Sequence, residues 1–233
     1  MELDFRPYFK KYEELVRQAD EVFERVQKEH PECVTCKIRC ADCCYALFDL
    51  SLIEAIYINC QFKTTIEGKE KSRLIEKANR ADRKTYMIKR HAYNSKKAGK
   101  SETEILKDIA TERVRCPLLN DDEMCELYEY RPITCRLYGI PTSIGGRSHT
   151  CGKSGFVEGK AYPAVNLDVI QKKLYDISSE FVRDIKTKYV KMADMLIPLS
   201  MAILTDFDEA YLGIASPKTA EEKQGKKNEK NHD

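Results

Sequence analysis

The 233-residue sequence predicts a mainly α fold, on three observations. Apolar residues recur at three- and four-residue intervals over long stretches. Serine–glutamate pairs at capping-box spacing open two of the periodic segments. Two cysteine-rich segments interrupt the periodicity and are too irregular for long helices or strands. The expected architecture is a helical domain with a small irregular cysteine-rich core and a short β-hairpin.

The first helix is read over residues 5–29, where Phe5, Tyr8, Phe9, Tyr12, Leu15, Val16, Ala19, Val22, Phe23 and Val26 form one apolar stripe. Pro31 closes this N-terminal segment, residues 1–31. Ser51 and Glu54 then announce a helix from Leu52 to about Gln61. Residues 64–115 are helical with a break at Asn94–Lys100, and Ser101 with Glu104 restarts the helix. The region 62–115 thus reads as a helical insertion in a cysteine-cluster domain spanning 32–155. Cys116-Pro-Leu-Leu and Met124-Cys-Glu-Leu-Tyr flank Asn120-Asp121-Asp122, a hairpin signal. Arg131-Pro132 opens a brief helix carrying Cys135, and Gly145-Gly146 makes a turn before His149 and Cys151. Helices over 156–216 follow, one striped by Leu167, Ile170, Leu174, Ile177, Phe181 and Ile185. The other is read from Met192 to Leu204. The tail 217–233 has nothing to bury and is expected to be disordered.

Forty basic and 38 acidic residues leave a net charge of +2, which gives no global case for nucleic acid or an anionic membrane. The basic stretch with Arg80, Arg83, Lys84, Lys89, Arg90, His91, Lys96 and Lys97 reads as a solvated helical face. An RNA-binding face there is not supported by interleaved aromatics, and nucleic acid is not expected. No run of about 18 apolar residues would span a bilayer. The charged opening MELDFRPYFKKYEELVRQAD lacks a signal-peptide core and cleavage site, so a cytoplasmic protein is expected.

In a reducing compartment, clustered thiols favour metal or catalytic chemistry over disulfides. Eight of the ten cysteines fall into two groups: Cys36, Cys40, Cys43 and Cys44, then Cys116, Cys125, Cys135 and Cys151. Spacings of two or three residues let one loop present several thiolates to a metal, and the second group adds single ligands from separate turns. A buried metal would replace core that such short elements cannot supply. Cys33 stands upstream of the groups, and Cys60 reads as a small buried hydrophobe. His149 reads as a polar loop residue, Tyr128 and Tyr130 as rings packing over the site, and Asp121-Asp122-Glu123 as a solvated tip. Zinc with four thiolates and an oxidised [4Fe–4S] cluster with four each carry about minus two, so charge does not separate them. The paired C-x2-C knuckles of zinc ribbons are missing, and C-x2-C-x3-C-x2-C is closer to a cluster-binding run. An iron–sulfur cluster, of the 4Fe–4S kind, is therefore preferred, with zinc as the alternative. Arg131 and Arg136 bracket Cys135 and are read as cations that hydrogen-bond the sulfurs. Cys36-x3-Cys40-x2-Cys43 also has radical-SAM spacing, but the helices on both sides do not suit that barrel.

The ordered set Cys36-x3-Cys40-x2-Cys43-Cys44, Cys116-Pro-Leu-Leu, Cys125-Glu-Leu-Tyr and Arg131-Pro-Ile-Thr-Cys135-Arg136 resembles the YkgJ-like cysteine-cluster proteins, described as a zinc- or iron-chelating domain. The resemblance spans residues 33–151. It implies a metal-binding domain without supplying a reaction. At the cysteine motif the family is similar to the flagellin lysine N-methylases, which keeps a SAM-dependent protein methylase as one alternative. Two classes of function remain: a reactive iron–sulfur centre serving electron transfer or redox chemistry with a redox or protein partner, and a structural zinc that staples an interaction module.

Overall fold

The computed structural model describes residues 3–214. The expected disorder of 217–233 lies outside them. Helix α1 runs Arg6–Glu29, α2 Leu52–Thr65, α3 Gly68–Lys97, α4 Glu102–Thr111, α5 Ile133–Leu137, α6 Leu167–Asp184 and α7 Leu199–Leu204. The fold is mainly α with a short hairpin, and both capping boxes form. Ser51 and Ser101 each accept from the amide three residues on, and Glu54 and Glu104 reach back to the serine amides.

Helix α2 is apolar nearly all round and is correspondingly the central helix. Its residues Leu52, Ile53, Ala55, Ile56 and Ile58 are wholly enclosed, with α1, α6 and α7 packed around them. Tyr12 of α1, Phe181 of α6 and Ala202 of α7 join this core. The N-terminal, central and C-terminal segments therefore share one interior. Asn59 is buried in α2 and donates to the carbonyls of Ala202 and Thr205, both at 2.8 Å, so it satisfies the end of α7.

The C-terminal expectation needs correcting. Met192–Leu204 is not one helix: a 3-10 turn at Met192–Asp194 leads into strand β5 (Leu196–Pro198), and α7 begins only after it. Pro198 has no N–H and cannot sit inside a helix. β5 pairs antiparallel with β1 (Asp49–Ser51), Leu50 opposite Ile197, a pairing the sequence reading missed. The Asn120–Asp122 segment turns as expected, with Asn120 N–H bonded to Met124 O at 2.9 Å. It carries a single bridge, Leu119 to Cys125, rather than two strands. The stranded hairpin is β2 (Thr142–Ile144) with β3 (Arg147–His149). Its turn is Gly145-Gly146, with φ of +56° and +74°, which glycine adopts freely. β4 (Val165–Asn166) lies parallel to β2.

One buried carboxyl ties these elements to the cysteine region. Glu54 accepts from Ile133 N–H at 3.2 Å and Tyr12 O–H at 3.3 Å. It thus joins α1, the start of α2 and the first turn of α5, which carries Cys135. Burial raises its pKa above the ordinary carboxylate value, against the pull of the Ile133 and Ser51 amides. A carboxyl with a raised folded pKa makes the native state bind more protons than the unfolded chain above the unfolded pKa. Stability should therefore fall as pH rises from about 4.5 through the folded pKa, then level off. Glu54→Gln should abolish that component, as the difference between the two proteins' urea-stability profiles against pH would report.

Candidate metal centre

The two cysteine segments are drawn together by backbone hydrogen bonds. Cys44 and Tyr45, in a 3-10 turn at Asp42–Tyr45, accept from Cys116 N–H at 2.7 Å and Val114 N–H at 3.1 Å. This brings the second group onto the first across some seventy residues, as the spacing implied. Cys40, Cys43, Cys44, Cys116, Cys125 and Cys135 all line one cavity of about 480 Å³. The rest of its wall is largely apolar, including Phe48, Ile58, Val114, Met124 and Leu199, with Arg115 and Arg131 among the polar groups.

The thiols fall into an inner and an outer set. Hydrogen bonding with the neighbouring Cys135 and Cys44 side chains holds the Cys43 thiol below its ordinary value, against the effect of burial. The same bonding raises Cys44 and Cys135 in turn. Burial pushes Cys116 up to about 12 and also raises Cys125. Cys36, Cys40 and Cys151 form the outer set. Burial raises Cys36 to about 11, and the nearby Cys40, Cys151 and Cys43 add to the rise. Cys40 also lines the cavity, so six of the eight share its wall, and Cys36 and Cys151 lie outside it.

Backbone amides favour the charged form of several sulfurs. Those of Leu118 and Leu119 bond Cys116, and that of Leu127 bonds Cys125. Lys153 N–H donates to Cys151 Sγ at 3.4 Å. In three places, then, a turn aims an amide at the sulfur two residues earlier, the arrangement by which a protein stabilises thiolates bound to metal.

Among the described residues, no three His, Cys, Asp or Glu side chains are placed to hold one metal ion together. The donor set nevertheless fits a thiolate-bound group: eight thiols, six of them on one cavity wall, with amides directed at three. Gly139 provides a further sign of fit. A Cβ there would lie 2.1 Å from Cys36 Sγ, so glycine is the residue that leaves room for this thiol. Gly139→Ala should displace the Cys36 thiol, which packs against Gly139 although the residue as a whole is exposed and free to rotate its side chain away. Stability should change by less than about 1 kcal/mol, while metal retention against a chelator should fall as far as it does in Cys36→Ser.

The two arginines part company. Arg131 lines the cavity, stacks over the Tyr128 ring at 4.1 Å, and its charge opposes the burial-driven rise at Cys125 and Cys36. Its expected place beside the sulfurs suits this geometry. Arg136 does not turn to the sulfurs. Its buried guanidinium ion-pairs with Asp20 of α1 at 2.5 Å and bonds the carbonyls of Arg131, at 2.9 Å, and Glu129. Helix α5 directs it toward α1, on the side away from the cavity, so it anchors the segment from which Arg131 reaches.

Of the remaining residues, Cys60 lies on α2, apart from the cavity and packed against the core. Cys33 is buried, its carbonyl bonded to Gly155 N–H at 2.8 Å. His149 is exposed on β3. Tyr128 packs over the site, whereas Tyr130 faces Tyr57, 6.3 Å away. Asp121 is a solvated tip that meets Arg73 at 3.5 Å. Sequence reasoning missed Asp42, whose carboxylate lies 3.7 Å from Cys151 Sγ and pairs with Arg113 at 2.9 Å. Its place inside the cysteine run was the available signal. Comparison with protein-family models, curated proteins and solved structures finds no significant match.

Proposed function

We propose that this chain is an iron–sulfur protein of the YkgJ-like kind, with a redox or electron-transfer role. The observation that carries the reading is the shared wall: six thiols from two distant segments border one cavity rather than closing on a point. A zinc site is closed by four thiolates around one ion, fewer than the six on this wall. A [4Fe–4S] cluster takes one thiolate per iron and is large enough to occupy a cavity of about 480 Å³ bordered by thiols from both segments. Four of Cys43, Cys44, Cys116, Cys125 and Cys135 would hold it, with Cys36, Cys40 and Cys151 beside them. A bound cluster supplies one-electron chemistry. The chain itself excludes water with Phe48, Ile58 and Leu199, stabilises thiolate charge through the amides of Leu118, Leu127 and Lys153, and adds the positive charge of Arg131. The apolar cavity next to the thiols favours a reactive centre over a structural staple.

Anaerobically purified protein should be coloured and should bleach reversibly on reduction. Colourless protein retaining zinc would replace this reading with the structural one.

A further inference from the structure

Helix α3 carries a surface unrelated to the cysteines. Its buried residues, Leu74, Ala78, Ala81 and Thr85, lie on one side of its first half. On another face, Arg83, Tyr86, Arg90, Tyr93 and Lys97 succeed one another at alternating steps of three and four residues, all exposed. That phasing stacks them in a single row about 21 Å long. Tyr86 and Tyr93 are 60% and 59% exposed, although tyrosine rings usually find cover. Lys97 lies over the Tyr93 ring at 4.7 Å.

The row's cations are also set apart by their partners. Most neighbouring basic groups are engaged: Arg80 with Glu76, Lys89 with Asp49, Lys96 with Glu102, Lys100 with Asp108. Among the described residues, Arg83, Arg90 and Lys97 have no carboxylate within salt-bridge distance. In the linear sequence Tyr86 and Tyr93 stand three or four residues away from their neighbours among Arg83, Arg90 and Lys97. Helical phase is what puts two tyrosines between three free cations.

We propose that this row binds single-stranded nucleic acid, the cations meeting phosphates and the tyrosine rings stacking on bases. A second copy of the chain would set Arg83, Arg90 and Lys97 against one another without a carboxylate between them. An acidic protein would use the charges but leave two flat rings without the apolar surroundings that interface cores provide. Unpaired bases use both.

The test is fluorescence anisotropy of a labelled uridine oligonucleotide of about 12 nucleotides with the full chain, across a salt series. Three phosphate contacts predict a log–log salt slope of about 2, lost in Arg83→Gln/Arg90→Gln/Lys97→Gln. Tyr86→Ala and Tyr93→Ala should each weaken binding about fivefold or more while keeping the slope. All five side chains are exposed, and unchanged melting of the variants checks that the fold persists. No salt-dependent binding, or variants that bind like the parent chain, would overturn the proposal. Competition by poly-glutamate as strong as by unlabelled oligonucleotide would also overturn it, in favour of an acidic protein.

Discussion

Cys135→Ser is expected to lose its metal and several kcal/mol of stability together. Cys135 is one of the inner thiols, beside Cys43 and on a helix of only five residues. Such a helix does not hold itself in water. It stays in place through Glu54 at its first amide, Arg136 at its side and whatever its thiol binds. Metal binding to a site absent from the unfolded chain is itself folding free energy, so losing a ligand removes part of it. Cys36, Cys40, Cys43, Cys44, Cys116, Cys125 and Cys151 should each show reduced metal content when changed to Ser. The inner thiols should lose more than the exposed Cys36. Cys60→Ser should keep full metal content, and Cys33→Ser should lose packing with little metal. Metal analysis and urea unfolding of the same preparations check both quantities. Equal metal loss in Cys60→Ser would break the grouping.

Arg136→Gln should unfold more easily by about 2–3 kcal/mol. Removing one partner of a buried pair commonly costs about 3–5 kcal/mol, because the other charge stays behind uncompensated. Asp20 is more than a third exposed, and water reduces that figure. The carbonyls of Glu129 and Arg131 lose their donor as well. Arg131→Gln should behave in the opposite way. Its guanidinium is partly exposed and has no carboxylate within reach among the described residues, so stability should barely move. Loss of its positive charge beside Cys125 and Cys36 should lower the midpoint potential of the proposed cluster. Denaturant melts and a redox titration of the two variants separate an anchor from an electrostatic neighbour.

What the sequence disclosed follows the range of the forces involved. Capping boxes are local, so Ser51–Glu54 and Ser101–Glu104 marked their helices correctly. The apolar stripe of α1 is a periodic signal and was legible, whereas α2 is apolar nearly all round, has no such period, and was marked only by its cap. The convergence of the two cysteine groups was readable because thiols at short spacing have few other uses. Pairing of β1 with β5 was not, since three-residue strands almost 150 residues apart carry no periodicity of their own. The direction of Arg136 depends on where α1 lies, which no local pattern encodes. Gly139 was unreadable for a similar reason: its need for a missing Cβ arises only once Cys36 packs against it. On α3 the tyrosines and cations are three or four residues apart in sequence, and only the helical phase brings Tyr86 and Tyr93 into one row with Arg83, Arg90 and Lys97.

The most direct measurement of the central claim is the amount of iron, acid-labile sulfide and zinc per chain in anaerobically purified protein. This account predicts stoichiometric iron and sulfide, with zinc near zero. Stoichiometric zinc without sulfide would contradict the cluster while leaving a thiolate site. Metal-free protein that takes up neither iron with sulfide nor zinc would contradict the metal centre altogether.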